Sequence, residues 1–177
     1  MNDALKSDFL VVYESSRTLK QTLVDLYSVS TACEVPDVFM AEWAMRNIDS
    51  LSQTIGESER ILPAVDRTRP GNSPQKGARF PQALSRSETQ QIQSRLFGEI
   101  RDNVRLLQDA LNRIATKNFG PGFDVFIADW AKTHESFVAP IARGCDRLYH
   151  HLTAAVQSQG LSEDFEEESP EVGGPGH

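Results

Sequence analysis

The chain of 177 residues contains only two cysteines, Cys33 and Cys145. That number excludes a disulfide scaffold, and their separation is no metal-ligand spacing. Both read as small, reduced, partly buried side chains. No apolar run approaches the ~20 residues of a membrane helix; near the start the longest is "FLVV" (9–12). A basic n-region followed by a long apolar stretch is missing, so the expectation is a cytoplasmic chain with no membrane partner. No strand-like alternation of useful length occurs, which excludes a sheet fold. Gly-x-Ser-x-Gly, phosphate-loop and dinucleotide patterns are absent, and no cofactor is expected.

What is present is a charge asymmetry and a repeated phrase. The net charge is −7, yet "EDFEEESPE" alone carries six acids, Glu163, Asp164, Glu166, Glu167, Glu168 and Glu171. Residues 161–177 therefore read as a disordered acidic tail. Between 60 and 86 lie six bases and one acid; Arg67, Arg69, Lys76 and Arg79 make the linker basic. With one aromatic, Phe80, this linker lacks an interleaved stacking platform and does not point to nucleic acid. It is a solvated loop or an electrostatic partner for the tail or another anionic surface.

"DVFMAEWAM" (37–45) returns as "DVFIADWAK" (124–132), placing the only tryptophans, Trp43 and Trp130, 87 residues apart. Upstream, Leu5, Phe9, Val12, Leu19, Leu23 and Leu26 form a helical stripe, interrupted by Ser16. Phe97, Ile100, Val104, Leu107, Leu111 and Ile114 repeat that stripe at an offset of 88. The change of offset falls in "TACEVP" against "FGPGF", where turns are expected and insertions are tolerated. These matches predict an all-α fold: an antiparallel four-helix-type bundle built from a duplicated helical hairpin about a pseudo-two-fold. Copy one spans 3–62, an irregular linker 63–85, and copy two 86–159, all within one domain, 1–160. In copy two, Pro140 separates expected helices over 123–138 and 140–158, with Gly160 past the end.

Phe39, Trp43, Phe126 and Trp130 sit at helical spacing and read first as core; their other reading is an aromatic surface for a partner. His134 falls on the apolar stripe Phe123, Ile127, Trp130, Phe137, Ile141, and its counterpart at the offset is Asn47. Both are expected to point inward and to bond across the axis as a buried polar pair that fixes register. A metal ligand set would need three or more of His134, Glu135, Asp146, His150 and His151 to converge. The Glu-x-x-His pairs of di-iron bundles are absent, and no metal is expected.

The segment "RGCDRLYH" (143–150) resembles the Arg-x(4–6)-His signature of HEPN ribonucleases, which are small helical bundles that usually act as dimers. The resemblance covers eight residues. Gly144 departs from the polar residue typical after the arginine. It would make Arg143 and His150 a catalytic pair. The reading taken first is a non-enzymatic helical-bundle interaction, adaptor or regulatory protein binding another protein, a second copy of itself included. The HEPN-like ribonuclease comes second and a carboxylate–histidine metal bundle third.

Overall fold

The computed structural model describes residues 3–62, 83–117 and 125–166, with side chains described as far as residue 154. They form four helices: α1 (Asp3–Thr31), α2 (Val38–Ile61), α3 (Arg86–Thr116) and α4 (Val125–Glu166). Caps define two of the starts. Asp37 accepts from the Met40 amide at the head of α2 (3.1 Å). Ser85 and Glu88 form a capping box at the head of α3, filling amide positions that lack intrahelical partners.

Burial follows the two stripes. Leu5, Phe9, Val12, Leu19, Leu23 and Leu26 of α1 meet Phe97, Ile100, Val104, Leu107, Leu111 and Ile114 of α3 in one apolar core. α1 and α3 run antiparallel. Arg113 near the end of α3 bonds Asp8 near the start of α1 (2.8 Å), and Gln93 near the start of α3 bonds Ser30 (3.1 Å). α2 packs beside α1, where Tyr13 donates to Glu59 (3.0 Å). α4 packs beside α3, with the Arg101 guanidinium over the Tyr149 ring (4.3 Å). The remaining seam, α2 against α4, is the thinnest of the four.

This topology explains the length of the linker. Leu62 ends α2 at one end of the bundle. Ala83 and Leu84 lie at the other, bonded to the α1–α2 connection: the Ala83 amide donates to Ala32 (2.9 Å), and Leu84 bridges Cys33. The chain must return the length of α2, about 36 Å for its 24 residues at ~1.5 Å each. Residues 63–82, which carry Arg67, Arg69, Lys76 and Arg79, lie outside the described residues, as does the chain beyond Glu166. Ala83 has φ 65°, a left-handed conformation that favours glycine.

Three local expectations need correction. Pro140 does not divide the chain between 125 and 158 into two helices, and Gly160 does not end the last one; α4 is one helix to Glu166. Pro140 sits on the exposed face, as does Ser136 four residues earlier, so water can serve the carbonyl that proline leaves without a donor. Phe39 and Phe126 are not core: they are 65% and 82% exposed. Phe137, placed on the inward stripe, is 38% exposed, and Ala131, Val138, Ile141 and Cys145 fill the core face of α4 instead. No described helix is long and apolar enough to cross a membrane.

Candidate functional site

Among the described residues, the thin α2–α4 seam holds a polar cluster of five side chains that crosses between helices. His134 of α4 is 1% exposed and lies between two side chains of α2. Its Nδ1 is 2.8 Å from Thr54 Oγ1, and its Nε2 is 2.8 Å from Glu57 Oε2. The Trp130 indole donates to the same carboxylate oxygen (3.0 Å), and Gln53 donates to the other (3.0 Å). The Gln53 amide first, and then the hydrogen bond from His134, hold the Glu57 carboxyl below its ordinary value of 4.5. Rings close the site on both sides of the imidazole: Trp130 at 4.5 Å and Phe137 edge-on at 5.6 Å.

The cluster fixes proton positions. An ionised carboxylate only accepts, so the Nε2 facing Glu57 carries a proton. Thr54 is fully buried and has no other hydrogen bond from its hydroxyl, so its O–H is satisfied by donating to Nδ1. With these bonds every group of the cluster is paired. Hydroxyl, imidazole and carboxylate thus stand in the order of a nucleophile–base–acid relay. Yet Thr54 is 0% exposed, and a hydroxyl without access to solvent meets no substrate. The arrangement binds helix to helix.

The expected pair of Asn47 with His134 does not form. Asn47 donates to the Trp43 carbonyl of its own helix (2.7 Å) and is half-buried. The reason lies in the antiparallel packing of α2 and α4, which sets His134 opposite the C-terminal half of α2, where Thr54 and Glu57 stand. Asn47 lies toward the other end, near Trp43 and Gly144. Sequence reasoning missed Thr54 and Glu57. The available signal was weak: the Gln53–Glu57 spacing of four, and Thr54 and Ser58 on one helix face.

The tryptophans occupy matching places. Trp130 packs on Phe9 of α1 (5.1 Å) and Trp43 packs on Phe97 of α3 (5.2 Å), at interplanar angles of 33° and 36°. Both are half-buried and reach across the bundle diagonal. Their indole N–H groups differ in surroundings. That of Trp130 meets Glu57, whereas that of Trp43 lies over Gly144, where an added Cβ would stand 3.0 Å from Nε1.

Arg143 and His150 are both exposed, two turns apart on α4. Neither lines the cleft of about 480 Å³ beside Gln108, Asn112, Lys132 and Glu135, nor the one of about 50 Å³ beside Arg101, Arg105 and Asp146. Among the described residues no three His, Cys, Asp or Glu side chains converge as a metal site. His134 has both nitrogens engaged, and Asp146 pairs with Arg105 (3.9 Å). Burial pushes the Cys145 thiol up to about 12, assisted by Asp146, so it stays protonated and unreactive. Comparison of the chain with protein-family models, with curated proteins and with solved structures gives no significant match to any of them.

Proposed function

We propose that this protein is a non-enzymatic, cytoplasmic helical-bundle interaction protein that binds another protein through the first turns of α2 and α4. The observation that carries this reading is the exposure of Val35, Val38 and Phe39 beside α2, and of Val125 and Phe126 at the equivalent start of α4. Exposed aromatic residues with aliphatic neighbours are the usual anchors of interfaces. The α2 group lies at the end of the bundle where α1 joins α2. Antiparallel packing sets the α4 group at the opposite end, so one chain would present two like surfaces. Their correspondence at an offset of 87 also supports descent of the two hairpins from one duplicated unit.

The test is capture by full-length protein carrying a photo-crosslinking residue at position 38 or 125, in the wild-type background and in Phe39→Ser and Phe126→Ser. Loss of a specific crosslinked protein in either variant, with unchanged helicity and melting, supports the reading. Equal capture by wild type and both variants removes it. Cleavage of RNA that disappears in Arg143→Ala and His150→Ala would replace it with the ribonuclease reading.

A further inference from the structure

The α2–α4 seam has two ends that correspond residue for residue at the offset of 87. His134 corresponds to Asn47, Trp130 to Trp43, Thr54 to Ile141 and Glu57 to Gly144. At one end these positions hold a hydroxyl, an imidazole, a carboxylate and an indole, joined across the seam by three hydrogen bonds of 2.8–3.0 Å. At the other end the same positions hold Ile141, Asn47, Gly144 and Trp43. There Asn47 turns back to its own helix, and no hydrogen bond among the described residues joins Trp43 or Asn47 to α4. That end is closed by apolar packing: the Trp43 indole lies over Gly144 and against Phe97, and Ala44, Ile141 and Cys145 are buried beside it.

We infer that the α2–α4 seam is a one-ended clasp: it is fastened by Thr54, Glu57, His134 and Trp130, and it parts first at the Trp43–Gly144 end. Apart from α4, the N-terminal half of α2 rests chiefly on α1 and touches α3 through Trp43 on Phe97 and the Gln93–Asp37 bond (3.2 Å), so parting from α4 leaves the α1 and α3 stripes in contact and lifts only the indole from Phe97. Opening there exposes the Trp43 face next to Val38 and Phe39. The clasp therefore controls how much apolar surface the α2 end of the molecule presents. This inference stands on the seam geometry alone and holds whether or not Phe39 binds a partner.

Native-state amide hydrogen exchange on the full chain tests it. Residues 43–48 and 53–58 are suitable sets, because Trp43 lies five residues inside the start of α2 and Glu57 four inside its end, so fraying weighs on both alike. A charge-assisted bond across the seam corresponds to about 10-fold or more in an opening equilibrium, so 43–48 should exchange faster by that factor. Glu57→Ala should raise exchange of 53–58 toward that of 43–48 and leave 43–48 little changed. Glu57→Gln, which keeps an acceptor oxygen, should lie between. Equal rates in the wild type, or a uniform rise of both sets in Glu57→Ala, overturns the inference.

Discussion

The two ends of the α2–α4 seam are made from corresponding positions yet are closed by different physics. One end relies on a fully paired polar cluster around His134; the other relies on an indole laid over a glycine. The difference teaches that a repeated pattern can preserve the wall of a core while its seams diverge. Phe9 and Phe97 receive nearly identical tryptophan contacts. Apart from those tryptophans, the corresponding residues that close the two ends share no chemistry. A paired polar cluster rewards retention of every member, because losing one leaves buried groups unsatisfied. An apolar contact loses only the area removed.

The tryptophans give the largest expected break. Trp130→Ala and Trp43→Ala should each cost about 3–5 kcal/mol in urea unfolding, the range for large truncations in a core. Trp130→Ala should cost more, since it also removes a donor to Glu57. An equal or greater loss at Trp43 would mean that the hydrogen-bonded end is not the tighter one.

His134→Leu comes next. It strips the fully buried Thr54 hydroxyl of its partner and should destabilise by about 1–3 kcal/mol. Adding Thr54→Val removes the orphaned group, so the double variant should regain part of that loss in the same unfolding measurement. Asn47→Ala should change stability by only about 0.5 kcal/mol, because its bond does not cross the seam. A double-mutant cycle without coupling between positions 54 and 134 would refute the Thr54–His134 hydrogen bond as a contributor to stability.

A smaller effect of opposite sign is expected at Ser16. It is fully buried with its hydroxyl unpartnered, at the place where the second half has Val104. Ser16→Ala should raise stability by about 1 kcal/mol, read as a higher denaturant midpoint with unchanged slope.

The smallest effect appears only in acid. Glu57 has a lowered pKa in the fold, so it contributes stability that is complete above its ordinary value of 4.5 and lost as pH falls below that. The stability difference between wild type and Glu57→Gln should be constant at neutral pH and shrink through that acid window. A difference that instead widens on acidification would reverse the sign assigned to this group.

Much of the architecture was legible because helix stripes are local. The spacing of Leu5, Phe9, Val12 and their counterparts defines which face is apolar, and burial of that face requires a partner stripe whatever its identity. The matched starts of α2 and α4 follow from the repeated phrase at 37–45 and 124–132, whereas the Asp37 and Ser85 caps emerge only in the structure. Tertiary packing decided the rest. Whether Phe39, Phe126 and Phe137 lie inside depends on how far α2 and α4 approach one another, a distance that periodicity does not contain. Pro140 is tolerated because it and Ser136 face solvent, which depends on the roll of α4 against α3. The partners of His134 depend on register. Antiparallel packing brings Thr54 and Glu57, about 80 residues away in sequence, to either side of one imidazole, and no local signal encodes a contact between side chains that meet only after the helices have docked.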